Sequence, residues 1–184
     1  SAARRSALST GTAGLVSPFN LEPGKNVATL LEAAKILRAD FPDFKLVLFG
    51  HGLVTPERER KFEAQVDQLG LRDTVVLAGV ISDVMLRQLY RRADIFVFPS
   101  LYEGFGLPLL EALACGTCLL ANSTPPLAEV AGRAAALVDS SDPTRLAAEL
   151  AALLGDRPRR EALNAAGPRR ARVGWRVDPS PGRL

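Results

Sequence analysis

Residues 98–112 read FPSLYEGFGLPLLEA, and this stretch carries the strongest structural signal in the chain. It follows the apolar run 95–98, which predicts a strand, and leads into the apolar run 109–114, which predicts a helix. Between two carboxylates, Glu103 and Glu111, lie a glycine-rich turn and a proline suited to the first turn of a helix. The stretch therefore predicts a strand–loop–helix unit with an acidic residue on either side of the turn.

Strand and helix patterns alternate outward from this unit. The predicted strands are 13–16, 45–49, 74–78, 95–98, 118–121 and 134–138. The predicted helices are 26–39 with Asn26 as candidate cap, 57–69, a helix capped by Ser82 and ending near 91, 109–114, 142–154, and 158–172 with an interruption at Gly167-Pro168. Short apolar strands alternating with longer helices predict an α/β fold with a doubly wound parallel sheet of the Rossmann-like type.

The position of the two carboxylates predicts a ligand site. In open α/β sheets ligands bind in the crevice beyond the carboxyl ends of the strands, where Glu103 is expected. The unpaired N–H groups at the start of the next helix favour a phosphate. Two carboxylates beside such a helix start indicate a ligand that has both hydroxyl and phosphate groups.

Composition limits the class of protein. The 184 residues, 47% of them hydrophobic, suffice for one well-buried domain. There is no apolar run of about 20 residues, and neither an initiator methionine nor a signal peptide at the start, so we expect a cytoplasmic piece of a longer protein. Net charge is +3, and the eight arginines after residue 155 predict a solvated helix followed by an irregular end, with no nucleic-acid partner.

Several shorter motifs leave alternatives open. Gly24-Lys25 is not a P-loop, because Phe19 stands where that motif needs glycine and Asn26 where it needs serine or threonine. Lys25 is either a counter-charge for a pyrophosphate or a solvated surface lysine, and His51 either a ligand contact or an exposed loop residue. Cys115 and Cys118 form a CxxC pair, but without a second pair we interpret them as small buried residues rather than a redox or zinc motif. A dehydrogenase or flavodoxin-like domain would need a cofactor fingerprint that the chain lacks.

Taken together, residues 98–121 closely resemble the E-x7-E signature of retaining glycosyltransferases of the GT-B fold, family 4 (glycosyltransferase group 1). The segments 21–26, 73–79, 89–94 and 127–132 also have counterparts in that family, so the resemblance spans roughly 15–175. It implies one domain of a two-domain GT-B fold, namely the carboxyl-terminal domain that binds a nucleotide sugar. The expected division is a linker at 1–12, the Rossmann-like domain at 13–173 and an irregular tail at 174–184.

The resemblance implies roles for individual residues. Glu103 and Lys25 are expected at the catalytic centre, Glu103 on the donor sugar's hydroxyls and Lys25 on the pyrophosphate. Glu111 is expected to bind the ribose hydroxyls. The remaining donor-binding residues are expected to be Phe105, Gly106, Leu107 and Val80. No metal ion or other cofactor is expected, because the family members in question neutralise the diphosphate with side chains.

The implied activity is hexose transfer from a nucleoside diphosphate sugar, such as a UDP- or GDP-hexose, to a sugar or lipid-linked acceptor. The missing amino-terminal domain would supply the acceptor site, and the full-length protein is expected to associate peripherally with the inner membrane surface. The alternative is a non-catalytic nucleotide-sugar-binding module or an inactive truncated fragment. The missing amino-terminal half and a missing arginine motivate that alternative. Gly24 precedes Lys25 where an arginine is usual, and Ser17-Pro18 replace an upstream Gly-Arg pair.

Overall fold

The computed structural model describes residues 14–50, 55–103 and 106–174. These form one six-stranded parallel sheet with strand order β3-β2-β1-β4-β5-β6. The strands are β1 Gly14–Pro18, β2 Lys45–Phe49, β3 Val75–Gly79, β4 Ile95–Phe98, β5 Leu119–Asn122 and β6 Ala136–Val138. All six predicted strands are present, and β2 and β4 have the predicted bounds.

Within the described ranges, seven α-helices surround the sheet. They are α1 Val27–Leu37, α2 Pro56–Gln68, α3 Asp83–Arg92, α4 Leu107–Ala114, α5 Pro125–Ala131, α6 Pro143–Gly155 and α7 Arg157–Gly174. Helices α1, α2 and α6 share one apolar cluster with the sheet, and α3, α4 and α5 share the other. Because helices lie on both faces of a parallel sheet, the predicted doubly wound Rossmann-like fold is confirmed.

Residues 46–49 of β2 and all of β4 are continuous apolar runs because both faces of these strands are covered. In β2, Leu46 and Leu48 pack in one cluster, and Val47 and Phe49 pack in the other. The same alternation holds along β4, where all four side chains are buried. A strand with one solvent-exposed face would instead alternate polar and apolar residues.

Helix α5 was not predicted. The sequence Thr124-Pro125-Pro126 has the composition of a loop, yet the helix begins at Pro125. Proline is compatible with the first turn of a helix, because the N–H that it lacks has no intrahelical acceptor there. The prolines therefore mark the start of α5 rather than an extended connection.

The predicted interruption at Gly167-Pro168 is wrong, since α7 continues through Pro168 to Gly174. Helix α7 packs against α4, and the absence of a side chain at Gly167 permits a very close approach. A Cβ atom at Gly167 would lie 2.8 Å from the carbonyl oxygen of Leu113. Tertiary packing thus stabilises a helix that the local sequence disfavours.

Some of the basic residues of α7 have a structural role. Arg160 donates to the carbonyl oxygens of Leu153 and Leu154 in the last turn of α6, and the Arg170 Nε donates to the carbonyl oxygen of Val130, near the end of α5. The last carbonyl groups of a helix lack intrahelical donors and carry partial negative charge, so arginine stabilises them. The predicted solvated helix face is therefore only part of the explanation for the positive charge of α7.

Among the described residues, no helix is both long and apolar enough to cross a membrane.

The contact between α4 and α7 predicts the effect of adding one methyl group. Gly167→Ala should lower the free energy of unfolding by about 1–3 kcal/mol, because the methyl group must push α7 away from the Leu113 carbonyl. Gly155→Ala is the matched control, since no atom lies within 4 Å of its added Cβ. Urea unfolding of both variants is the measurement, and equal stability of the two would contradict this account of the interface.

Candidate functional site

The strand order places two loops at the centre of the carboxyl edge of the sheet. Strands β1 and β4 are neighbours there, and the chain leaves them toward opposite ends of the sheet. A short 3-10 turn, Pro23–Lys25, follows β1, and Glu103 follows β4. Loops that diverge at such a switch point open a crevice between them, which is where ligands bind in this class of fold.

The structure brings Lys25 and Glu103 together across this crevice. The Lys25 Nζ lies 2.6 Å from the Glu103 Oε1, within hydrogen-bonding distance of opposite charges. The lysine side chain is 30% exposed and the glutamate side chain 15% exposed, so both are accessible to a ligand while partly shielded from water. Lys25 is therefore ion-paired and partly buried rather than freely solvated. Its expected role as a counter-charge for a pyrophosphate stays a prediction.

An open crevice of about 590 Å³ adjoins this ion pair. Its described lining residues are Lys25, Leu101, Tyr102, Glu103, Thr124, Pro125 and Pro126. The Tyr102 side chain packs against Gly24 and is 80% exposed, and the first residues of α5 contribute to the lining. The described part of its lining thus combines one cation, one carboxylate and an exposed aromatic ring.

The start of α4 adds a backbone donor to this edge. Gly106 adopts a left-handed conformation with φ of 69°, and a Cβ atom there would lie 3.1 Å from the Leu127 side chain, so glycine suits the position. Leu107 is the first helical residue, and its N–H has no acceptor within the helix. Phe105 and His51, the other candidate contacts of these loops, lie outside the described residues.

Glu111 lies in the second turn of α4 and is exposed. It is not among the described residues that line the crevice, and the structure shows no contact between it and Glu103. Its Oε2 lies 3.3 Å from the hydroxyl oxygen of Tyr90, which is buried at the end of α3. The two carboxylates of the opening motif therefore have different surroundings, one paired with a cation and the other with a hydroxyl group.

Val80 lies on the same edge of the sheet, directly after β3. Its side chain is 65% exposed, and Val84 and Met85 at the start of α3 are also more than half exposed. The structure thus places an apolar surface at the position where a donor contact is expected. It shows no contact between Val80 and the Lys25–Glu103 pair.

Asn26 has a different role from the one that the sequence predicted. It precedes α1, but its side chain does not cap that helix, and its backbone is left-handed with φ of 58°. The buried side-chain amide instead donates to the carbonyl oxygens of Ser140 at 2.7 Å and Pro99 at 3.3 Å. Asn26 therefore connects the loop after β1 to the loops after β4 and β6.

Further buried hydrogen bonds complete this network. The Ser140 hydroxyl donates to the Pro99 carbonyl oxygen at 2.8 Å, and the Asn122 side-chain amide donates to the Ser100 carbonyl oxygen at 3.1 Å. The Asn122 side-chain oxygen accepts from the Ser140 N–H at 3.2 Å. Four loops at the carboxyl edge are thereby held to one another, including the two that carry Lys25 and Glu103.

Sequence reasoning did not find this network, although it had a partial signal. Asn122 directly follows the predicted strand 118–121. The residue is only 4% exposed, and its amide is already used in the network. Polar residues directly after buried strands, read together as one set, were the available clue.

The CxxC pair has neither a redox partner nor a metal set in the described structure. Cys115 and Cys118 are free thiols; Cys118 is buried, as interpreted from the sequence, whereas Cys115 is only half-buried. Burial raises the pKa of Cys118 to about 11 and also raises the pKa of Cys115. Among the described residues, no group of three or more His, Cys, Asp or Glu side chains could hold a metal ion.

Comparisons with known proteins identify related chains. A family model described as glycosyl transferases group 1 matches residues 4–170. A D-inositol 3-phosphate glycosyltransferase from Thermobispora bispora is 36% identical over 95% of the chain, and an Escherichia coli O-antigen chain mannosyltransferase B is 35% identical over 80% of it. The chain spans only 42% and 38% of the lengths of these two relatives.

Solved structures show the same fold. The chain resembles sucrose-phosphate synthase from Thermosynechococcus elongatus with a TM-score of 0.79 and 28% identity, covering 94% of this chain and 44% of that one. It resembles the carboxyl-terminal domain of the group 1 glycosyl transferase LpcC from Francisella tularensis with a TM-score of 0.75 and 26% identity, covering 90% and 89%. Anabaena HepE, solved with UDP-glucose, has a TM-score of 0.82 with 19% identity over 94% of this chain and 47% of that one, which shows similarity of fold alone.

The buried network predicts that Asn26 contributes to stability. Asn26→Ala should lower the free energy of unfolding by about 2–3 kcal/mol, because it leaves a buried carbonyl without its donor and places alanine in a left-handed conformation. Asn26→Gly should be about 1 kcal/mol more stable than the alanine variant, since glycine adopts that conformation at little cost. Urea unfolding measures both effects.

Asn20→Ala is the control for these variants, because Asn20 lies in the same loop and makes only an exposed hydrogen bond. Its stability should stay within about 0.5 kcal/mol of the wild type. If Asn26→Ala unfolds at the wild-type urea concentration, the network does not stabilise the loops.

The thiol pKa values predict slow modification of the folded chain. Because the thiolate is the reactive form, the Cys118 thiol of the folded chain should resist an aromatic disulfide reagent at pH 8. It should react only when the pH approaches its pKa of about 11 or when the chain unfolds. Cys115 should react more slowly than a free thiol, and both should react at once in guanidinium. Rapid labelling of Cys118 in the native chain would contradict the packing of β5.

Proposed function

The chain belongs to the group 1 glycosyl transferases, and from this we propose that it is the carboxyl-terminal, donor-binding domain of a retaining family 4 enzyme. The full enzyme would transfer a hexose from a nucleoside diphosphate sugar to a sugar or lipid-linked acceptor. The observation that carries the proposal is the Lys25–Glu103 pair at the switch point of the sheet, 2.6 Å apart and accessible from an open crevice.

The two partners match the two ends of such a donor. An ammonium group is a compact cation suited to a diphosphate, and a carboxylate accepts hydrogen bonds from neighbouring sugar hydroxyls. In our proposal Lys25 leaves Glu103 and pairs with the diphosphate, and the sugar hydroxyls replace the lysine as hydrogen-bond donors to the Glu103 carboxylate. Each charged group then exchanges one charged or polar partner for another, so neither is left unpaired in the bound state.

The remaining donor contacts are proposed from their positions along the same edge. The N–H groups of Gly106 and Leu107, with Phe105 beside them, would face the sugar and the phosphates. Glu111 would accept from the ribose hydroxyls, and Val80 would contact the nucleotide further along the edge. The proposal requires no metal ion, since Lys25 would balance part of the diphosphate charge.

The proposed reaction exchanges one bond at the anomeric carbon of the hexose for another. The bond to the diphosphate oxygen breaks with its electron pair leaving on the diphosphate, and a bond to the acceptor oxygen forms on the same face. The acceptor hydroxyl loses its proton, for which a leaving-phosphate oxygen is a suitable acceptor. Lys25 would stabilise the charge that develops on the diphosphate, and Glu103 would hold the sugar at its oxocarbenium-like stage.

The acceptor site is proposed to lie on an amino-terminal domain outside this chain. The relatives are more than twice as long as the segment that they share with it. The likeness to a separately solved carboxyl-terminal domain of LpcC also supports this division. We therefore propose that the isolated chain binds the donor without transferring the sugar. We also propose that the full protein is cytoplasmic and reaches a lipid-linked acceptor at the inner membrane surface.

A non-catalytic nucleotide-sugar-binding module is the second candidate. Lys25 is the one cation among the described crevice residues, Glu103 already neutralises it, and glycine precedes it in the chain. A site with so little net positive charge could bind a donor and still stabilise a leaving diphosphate poorly. Transfer assays on the full-length protein distinguish the candidates, because only an enzyme turns over.

Titration of UDP, GDP and ADP into the purified chain tests the proposed donor site. At least one diphosphate should bind, and Lys25→Ala should weaken it by about 10- to 100-fold, the loss of one charge-assisted contact. Lys35→Ala, which removes the same charge from the exposed face of α1, should leave the affinity unchanged. Calorimetry measures each dissociation constant.

Glu111→Ala is the companion variant, and it too should weaken nucleotide binding because a carboxylate partner of the ribose is lost. Unchanged affinity would remove Glu111 from the site. Binding of none of the three diphosphates would overturn the donor-site proposal as a whole.

A further inference from the structure

Tyr90 is a buried polar residue that the proposed reaction does not use. It lies in α3, its side chain is 1% exposed, and it packs in the apolar cluster between the sheet and α4. Its hydroxyl group meets the Glu111 Oε2 at 3.3 Å. A buried hydroxyl must find a hydrogen-bond partner, and here that partner is a carboxylate assigned to the donor site.

The Tyr90 ring is held firmly on several sides. It makes edge-to-face contacts with Phe96 and Phe49, with ring centroids 5.1 Å and 6.1 Å apart. The Tyr90 carbonyl oxygen also accepts a hydrogen bond from the Thr117 hydroxyl at 2.8 Å. Because the two aromatic contacts fix the ring, the hydroxyl is a fixed point toward which Glu111 can orient.

The direction of this hydrogen bond follows from the two groups. Burial, and then the neighbouring Glu111 carboxylate, raise the pKa of Tyr90 far above its ordinary value, so the hydroxyl keeps its proton. An ionised carboxylate only accepts, hence Tyr90 donates and Glu111 accepts. The contact occupies Oε2 and leaves Oε1 free to accept from a second donor.

The hydrogen bond from Tyr90 matters for Glu111 because few other contacts restrain the glutamate side chain. It is exposed, and among the described residues it forms no ion pair. A glutamate side chain that rotates freely loses conformational entropy when it binds, and an interaction that orients it beforehand reduces this loss.

We propose that Tyr90 is a positioning residue: its hydroxyl holds the Glu111 carboxylate in the orientation that accepts the ribose hydroxyls of the donor nucleotide. The inference rests on the proposed function, because Tyr90 contacts the Glu111 carboxylate and would act on the ligand only through it. It differs from a purely structural role for Tyr90, which would affect all ligands of the chain alike.

The test compares ribose and deoxyribose ligands. The probes are whichever of UDP, GDP and ADP binds most tightly, and its 2′-deoxy and 3′-deoxy counterparts. Wild-type chain should prefer the ribose form over at least one deoxy form by about tenfold, as one hydrogen bond to a carboxylate would give. Tyr90→Phe keeps the ring and removes only the hydroxyl.

Tyr90→Phe should weaken binding of the ribose form by about three- to tenfold and leave binding of that deoxy form unchanged. The preference for the ribose form should therefore become smaller. Glu111→Gln should reduce the same preference, and adding Tyr90→Phe to it should have no further effect. Thr117→Val is the matched control, since it removes the hydrogen bond to the Tyr90 backbone but not the hydroxyl. It should lower Tm and leave the ribose preference intact.

The possible failures are distinguishable. If no diphosphate binds the wild-type chain, the donor-site proposal fails and this inference with it. If Glu111→Gln keeps the full ribose preference, Glu111 does not bind the ribose and Tyr90 cannot act through it. If Glu111→Gln reduces the preference while Tyr90→Phe retains it, or if Tyr90→Phe weakens all ligands equally, the positioning role is overturned and the donor site stands.

Discussion

The Asn26 side chain connects loops that follow three different strands, and the geometry of the candidate site depends on this connection. Its amide donates to the backbone after β4 and after β6, immediately beside Lys25. The loop pair is closed a second time by the Leu101 N–H, which donates to the Gly24 carbonyl oxygen at 2.8 Å. These bonds hold the segments that carry Lys25 and Glu103 next to each other. Buried polar groups that satisfy one another in this way specify one arrangement, because any other arrangement leaves some of them unpaired.

On this framework the site holds its charges in balance before a ligand arrives. Lys25 and Glu103 neutralise each other, and Glu111 receives a hydrogen bond from Tyr90. A donor with phosphates and hydroxyls would substitute for partners that already exist, so binding need not begin from bare buried charges, which would be costly. The same balance limits the attraction of the site for anions, since its one described cation is already paired.

The sequence predicted the sheet well because burial on both faces requires continuous apolar strands, and such runs are visible without a structure. It failed where tertiary contacts decided the outcome. Helix α5, which begins with two consecutive prolines, was not predicted, and Gly167-Pro168, which was predicted to interrupt a helix, lies inside α7. At Gly167 the reason is visible: the close approach of the Leu113 carbonyl requires glycine there, and that requirement comes from a partner helix distant in the sequence.

By itself, the sequence determined the fold class, the strand–loop–helix unit around residues 98–112, and the choice of Glu103, Glu111 and Lys25 as candidate residues. These follow from local pattern and residue chemistry, together with a family resemblance. Only the tertiary structure decided that Lys25 pairs with Glu103 across 78 positions of chain, that Asn26 joins loops instead of capping a helix, and that Tyr90 meets Glu111. The physical reason is that a hydrogen bond depends on distance and direction in space, and the order of β1 and β4 in the sheet sets both.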